Sequence, residues 1–323
     1  MNHVKSASQR EALGKALSIL GREHNNLVVL SPDTSRSTGA LAFKEAYPER
    51  FICTGISEQN TMGMAAGLSL MGWMPVVVGF AMFVIGKAWE SLRNSVIYPN
   101  LNVKIIGTHA GINVGQDGVS HQAIEDIALM RIVPGMKVLA PSDANQVLHV
   151  LKASLEIEGP VYIRLEREDL PLLTNPSTDY KIGDSYKLRD GKDATIFAIG
   201  GMVPISIQAA EILSKENLQI QVISMVSIKP LDESVVWIAA QQTGAIVVAE
   251  DHNLYGGLGS AIAELLIEEP CAPVERIAIQ DKFAESGNPD QLRKKYHLAA
   301  DDIVNATRKA ISQKEKMKAY FHD

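Results

Sequence analysis

The chain has 323 residues, 46% of them hydrophobic and 21% charged, the balance of a soluble globular protein with room for two ordinary domains. Its formal charge is -6, with Lys and Arg scattered throughout, so no basic face is available to hold nucleic acid by its phosphates. Two cysteines, Cys53 and Cys271, are too few for a disulfide framework and have no metal-ligand spacing, which fits a reducing cytoplasm. The opening Met1-Asn2-His3-Val4-Lys5-Ser6 lacks the apolar core of a signal peptide. No later run approaches the roughly 18 apolar residues of a membrane helix.

Taken in order, the elements alternate. An amphipathic helix is predicted from Ser8 to Gly21, with Leu13, Ala16, Leu17 and Leu20 on one face, followed by a strand at Leu27 to Leu30. Buried strands follow at Met74 to Val78, Val103 to Thr108, Lys137 to Ala140 and Val161 to Arg164, with helices at Asn60 to Met71 and Ala144 to Ile157. Short apolar strands between helices predict an α/β fold, a largely parallel sheet covered on both faces. Around residues 168 to 190 the pattern gives way to turn-forming polar residues, and the domain boundary is expected there. Alternation then resumes in a smaller α/β domain: strands at Ala194 to Ile199, Ile220 to Ser224, Ala245 to Ala249 and Val274 to Ile279, with a helix at Pro204 to Leu213. A last helix, from Ala299 to about Ala319, contains the charged run Lys314-Glu315-Lys316-Met317-Lys318.

Five stretches carry groups capable of chemistry. In Thr54-Gly55-Ile56-Ser57-Glu58-Gln59-Asn60, Glu58 falls in the first turn of a helix. There it either complements the helix dipole or, held in an apolar pocket with a raised pKa, shares a proton with a ring nitrogen. Phe80 and Phe83 follow a buried strand; they are core residues or, at the carboxyl end of the sheet, a stacking surface for a flat ligand. The glycine-rich run from Thr108 to Gln122 holds His109, Asp117 and His121. Its spacing is poor for zinc and better suited to hydrogen-bonding hydroxyls and passing protons near neutral pH. Arg164-Leu165-Glu166-Arg167 ends another strand, where an arginine holds either a phosphate or a neighbouring Glu166, Glu168 or Asp169. Glu250-Asp251-His252-Asn253, read as following a strand, precedes Gly256-Gly257-Leu258-Gly259-Ser260. That glycine-rich turn also suits plain close packing into a helix.

Gly55-Ile56-Ser57-Glu58-Gln59-Asn60, Thr108-His109-Ala110-Gly111, Gly115-Gln116-Asp117-Gly118 and Ser120-His121-Gln122 occur in that order. Together they resemble the second half of transketolase, over essentially the whole chain, and are most similar to split transketolases made of two polypeptides. The resemblance implies a pyrimidine-binding domain over residues 1–175, a linker over 176–192 and a transketolase C-terminal domain over 193–323. It also implies that Glu58 hydrogen-bonds the aminopyrimidine N1′ of thiamine diphosphate and drives its imino tautomer, so that the cofactor carries a two-carbon unit from a ketose phosphate to an aldose phosphate. By the same carry-over, Phe83 stacks on the aminopyrimidine with Phe80 beside it, and Asp33 lies near the cofactor. His109, Asp117 and His121 contact the sugar hydroxyls and the reacting carbonyl, and Arg167 and Arg10 hold the substrate phosphate.

Two positions depart from the family pattern. Gly86 stands where many transketolases have a tyrosine, with Trp89 as a candidate to fill the space, and Asn113 stands where a smaller or hydroxyl residue is usual. No Gly-Asp-Gly followed by Asn at the family's spacing is present, and that segment binds the magnesium and diphosphate. The resemblance therefore implies a separate N-terminal subunit, in a heterotetramer of two of each, and no metal ligand in this chain. The expected substrates are xylulose 5-phosphate and ribose 5-phosphate, or a branched ketose phosphate such as apulose 4-phosphate. Other readings are the β subunit of a 2-oxo acid dehydrogenase, 1-deoxyxylulose-5-phosphate synthase, and a non-catalytic regulatory paralogue.

Overall fold

The first helix, Gln9–Glu23, buries Leu13, Ala16, Leu17 and Leu20 on one stripe, and the Ser8 hydroxyl caps it by accepting from the Glu11 N–H at 3.4 Å. Each fully buried leucine contributes about 1.5–3 kcal/mol relative to an exposed one. The computed structural model describes residues 5–269 and 271–322, so the signal-peptide reading of residues 1–4 lies outside them. No described helix is long and apolar enough to cross a membrane. The final helix runs Ala300–His322.

The strands, in chain order, are β1 (Ser6–Ser8), β2 (Leu27–Ser31), β3 (Phe51–Cys53), β4 (Met74–Phe80), β5 (Lys104–Thr108), β6 (Lys137–Leu139), β7 (Val161–Arg164), β8 (Asp169–Pro171), β9 (Tyr186–Arg189), β10 (Ala194–Ala198), β11 (Ile220–Ser224), β12 (Ser227–Lys229), β13 (Ile246–Asn253) and β14 (Val274–Ile279). The first sheet has the order β12-β6-β7-β5-β4-β2-β3 and the second β14-β13-β10-β11-β9. Both are parallel except for one antiparallel edge strand each, β12 and β9. This is the expected α/β architecture of two covered sheets. β2, β5 and β10 are buried at every position, as their continuous apolar runs require.

The division between the two halves is less simple than the sequence pattern. β9 lies inside the stretch expected as a linker and pairs with β11. β12, from the second half, pairs with β6 in the first sheet, and β8 returns to pair with β1. One apolar cluster runs from Ile105 and Val138 in the first half to Phe197, Ile223 and Val248 in the second.

Strand order places the site. The chain passes from β2 to β3 on one side and from β4 to β5 on the other, so the order reverses between β2 and β4. The carboxyl ends of strands at such a reversal form a ligand-binding crevice. Asp33 follows β2 there and Phe80 ends β4; the parallel register sets Phe80 opposite Thr108 on β5.

Asp143 ties the end of the first domain to the chain that leaves it. Its carboxylate caps the helix Ala144–Leu155 through the Asn145 and Gln146 N–H groups at 3.0 and 3.2 Å, and accepts from the Leu173 and Thr174 N–H groups at 2.7 and 2.8 Å. Asp143→Ala removes a cap and strands buried donors, so urea unfolding is expected to show a loss of about 2–4 kcal/mol. Asp143→Asn should recover part of it.

Candidate active site

Glu58 begins the helix Glu58–Leu70 with its carboxylate 3% exposed. Burial there is compatible with charge because the positive end of the helix dipole faces it. The pocket is not purely apolar as expected: Lys87 Nζ donates to Glu58 Oε2 at 2.6 Å, from a side chain that is 48% exposed. Nothing in the sequence motifs singled out Lys87. It closes the π-helix Met82–Lys87 that also carries Phe83, and such distortions concentrate at functional sites.

Phe80, Phe83, His109 and His121 form one ring cluster. Ring centroids are 6.2 Å apart for Phe80 and Phe83, 4.1 Å for Phe80 and His109, and 5.1 Å for Phe83 and His121, the last pair edge to face. Strand register brings them together across 42 residues of chain. Asp33, exposed, lies at the same sheet edge at φ 61°, with the Cys53 thiol 3.8 Å from its carboxylate. Over Gly86 the neighbour is the Met82 methyl, 3.3 Å from where a Cβ would stand. Trp89, the candidate to fill that space, packs against the apolar core.

His109 is buried to 3% exposure at φ 58°. The Thr108 hydroxyl donates to the Gly79 carbonyl at 3.3 Å and sits 2.9 Å from His109 Nδ1. A hydroxyl that donates to Gly79 accepts from Nδ1–H, the tautomer that leaves Nε2 as an acceptor. Burial, then the charges of Arg10 and Arg167, push the imidazole pKa down to about 3. His109 is thus held neutral near pH 7, available there as a hydrogen-bonding group. His121 is bonded to the Ser120 hydroxyl at 3.0 Å.

The loop after His109 is moulded by the second domain. Asp251, at the end of β13, accepts from the Ile112 and Asn113 N–H groups at 3.0 and 3.4 Å. Gly111 and Gly118 have φ of 75° and 77°, and a Cβ on them would lie 2.1 Å from Asp251 Oδ2 and 2.4 Å from Ser286 Oγ. Only glycine meets both demands. Residues Glu250 to Asn253 belong to the strand itself rather than following it. Glu250 is structural, accepting from the Leu258 and Gly259 N–H groups that begin the next helix.

The two arginines of Arg164-Leu165-Glu166-Arg167 separate. Arg164 is fully buried: it donates to Asp126 at 3.0 Å, Glu166 at 3.4 Å and the Asp251 carbonyl at 2.7 Å. It cannot also hold a phosphate. Arg167 pairs with Asp117 at 3.5 Å and donates to the Val114 carbonyl. With Arg10, Asn113, Gln116 and Glu168 it lines a cavity of about 340 Å³. Arg10 donates to the Ser37 carbonyl at 2.9 Å, its buried Nε has no partner, and burial and then Arg167 lower its pKa. Among the described residues, no group of three or more His, Cys, Asp or Glu is placed to hold a metal ion.

The ring of His109 should show no NMR titration between about pH 5 and 8. An unfolded histidine gains its proton near 6.5 and the folded ring only near 3. The contribution of His109 to stability is therefore complete above pH 6.5 and declines as pH falls below it. His109→Asn, which tolerates the positive φ, should flatten that acid limb in unfolding measurements.

The family profile described as transketolase, pyrimidine binding domain, matches residues 5–172, and that described as transketolase, C-terminal domain, matches residues 183–303. A Methanocaldococcus jannaschii protein described as a transketolase C-terminal section is 42% identical, over 91% of this chain and 93% of its own. The 6-deoxy-6-sulfo-D-fructose transketolase subunit SqwH of Clostridium sp. strain MSTE9 is 36% identical, over 91% of each chain. A solved structure described as a split gene transketolase, inactive beta4 tetramer, superposes with a TM-score of 0.88 at 46% identity, over 96% of this chain and 100% of its own. This chain belongs to the transketolase family, and it comprises that family's pyrimidine-binding and C-terminal domains in the manner of the C-terminal subunit of a split transketolase.

Proposed function

We propose that this chain is the aminopyrimidine-activating subunit of a two-chain transketolase that transfers a two-carbon ketol unit from a ketose phosphate to an aldose phosphate. The observation that carries the reading is a buried carboxylate, Glu58, on an element packed against the one that bears Phe83, at the sheet edge lined by Phe80, His109 and His121. A flat ring with a basic nitrogen suits that combination of aromatic wall and buried acid, and the aminopyrimidine of thiamine diphosphate is such a ring. When bound, the cofactor supplies the nucleophilic carbon that receives the two-carbon unit.

In this reading Glu58 shares a proton with the ring nitrogen N1′, and the exposed stem of Lys87 lets its ammonium swing to solvent as the ring enters. Phe80 and Phe83 hold the ring and keep water from it, with Asp33 beside them at the edge. His109 accepts from a substrate hydroxyl through Nε2, and His121 and Asp117 face the sugar from the same loop. Arg167 and Arg10 take the terminal phosphate: two arginines in one cavity, one with an unpartnered buried Nε, suit a dianion. The diphosphate and Mg2+ are assigned to an N-terminal partner subunit, because the sequence has no Gly-Asp-Gly segment with its following Asn. In this reading the assembly is a heterotetramer of two of each chain. The words split gene and inactive beta4 tetramer, said of the similar solved chain, support a subunit that assembles without activity on its own.

Expressed alone, the chain is expected to be inactive in a ketose-to-aldose transfer assay, and adding the N-terminal subunit should restore activity; full activity of the single chain rejects the two-chain assignment. In the reconstituted pair, Glu58→Gln is expected to lower kcat by about 100- to 10,000-fold, the range of acid-base contributions, without loss of assembly. Unchanged turnover would remove Glu58 from the mechanism. Xylulose 5-phosphate, apulose 4-phosphate and a sulfonated ketose are the donors to compare, the last because of the sulfofructose relative.

A further inference from the structure

Arg293 belongs to the second domain and to none of the motifs read from the sequence. Its guanidinium crosses to the first domain, where Nη1 donates to Asn113 Oδ1 at 2.6 Å and to Glu168 Oε2 at 2.8 Å. Both acceptors belong to the wall of the cavity that contains Arg10 and Arg167. Arg293 itself stands behind that wall, with 17% of its side chain exposed.

The charges on the wall explain why a cation is needed there. Arg10 and Arg167 face Glu168 and Asp169 around the cavity, two positive against two negative, and Asp117 draws on Arg167 from 3.5 Å. An entering dianion meets no net attraction from such a lining unless a carboxylate is neutralised from outside it. Arg293 does this for Glu168 through Nη1, while its Nη2 donates to the exposed Asp290 at 2.5 Å. The same Nη1 engages the carbonyl oxygen of the Asn113 side chain, which leaves Asn113 Nδ2 directed at Glu166, 3.5 Å away. One guanidinium thus sets both the charge of the wall and the orientation of the residue that departs from the family pattern.

We propose that Arg293 is a positioning residue for the anionic end of the substrate: by pairing with Glu168 and fixing Asn113 from behind the wall, it keeps Glu168 from competing with a phosphate for Arg10 and Arg167. The proposal rests on reading that cavity as the phosphate site. It adds a residue of the C-terminal domain to substrate recognition, through residues that the sequence motifs did not connect.

Binding of ribose 5-phosphate to the reconstituted pair, followed by isothermal titration calorimetry, tests the idea. Arg167→Ala is the control for the cavity. If the unaltered pair does not bind, or if Arg167→Ala binds unchanged, the phosphate reading fails and Arg293 with it. Arg293→Gln is expected to weaken binding by about tenfold, as expected when one member of a partly buried charge pair is removed. Adding Glu168→Gln to it should restore most of the loss, and Arg293→Lys should retain part of the affinity. Glu168→Gln alone, which keeps Arg293 in place and guards against a misfolded Arg293 variant, should tighten binding. Loss of binding in Arg167→Ala with none in Arg293→Gln leaves the phosphate site standing and overturns the role of Arg293. A double variant no better than Arg293→Gln, or a Glu168→Gln that fails to tighten binding, also overturns it, because a merely structural arginine would not be rescued by removing its counter-charge.

Discussion

Arg164 lies wholly out of water at the end of β7, and a guanidinium persists in such a place only if its donors meet carboxylates or carbonyls. Asp126, Glu166 and the Asp251 carbonyl meet them, and the Tyr162 hydroxyl adds a 2.6 Å bond to Asp126. Three carboxylic acids around one arginine are more negative charge than the interior tolerates. Burial, and then Glu166, raise the pKa of Asp251, while Arg164 and then the Ile112 and Asn113 N–H groups stabilise its charged form. Glu166 is further held by the Gly201 N–H at 3.1 Å. The cluster therefore joins the first sheet, the second sheet and the loop that carries the site.

That junction explains the division of labour between the domains. The residues facing the crevice, Glu58, Phe80, Phe83, His109 and His121, all come from the first domain. The conformation of the loop from Gly111 to Gly118 is imposed by the second, through hydrogen bonds that its N–H groups donate to Asp251 and through contacts that leave no room for a side chain at two of its glycines. A loop of small residues would otherwise sample many conformations, at an entropic cost on ordering. Fixing it from behind keeps its polar groups aimed at one place before any ligand arrives, which lowers the cost of binding.

Much of this was legible along the chain. The apolar runs of β2, β5, β7, β10 and β11 name buried parallel strands, because a strand covered on both faces has no reason to alternate. The order of the Glu58, His109 and His121 motifs identifies the family. Other features had no local sign. Lys87, at the end of the π-helix that carries Phe83, meets Glu58 across 29 positions of sequence. Asp251 and Arg293 meet the loop across 138 to 180 positions of sequence, and a strand of the second half completes the edge of the first sheet. The two arginines of one tetrapeptide take opposite fates, one sealed in a charge cluster and the other in a cavity wall.

By itself, then, the sequence determined the layers, the strand runs, the family and the chemical identity of the residues in the crevice, since these depend on hydrophobic periodicity and on short ordered motifs. Only the tertiary structure decided the charge state and the surroundings of those residues: His109 held neutral by burial and nearby arginines, Glu58 given a cation, Arg164 withdrawn from any ligand. The reason is physical. Periodicity is a property of neighbours along the chain, whereas desolvation and Coulomb interactions depend on which distant groups the fold brings within a few ångströms.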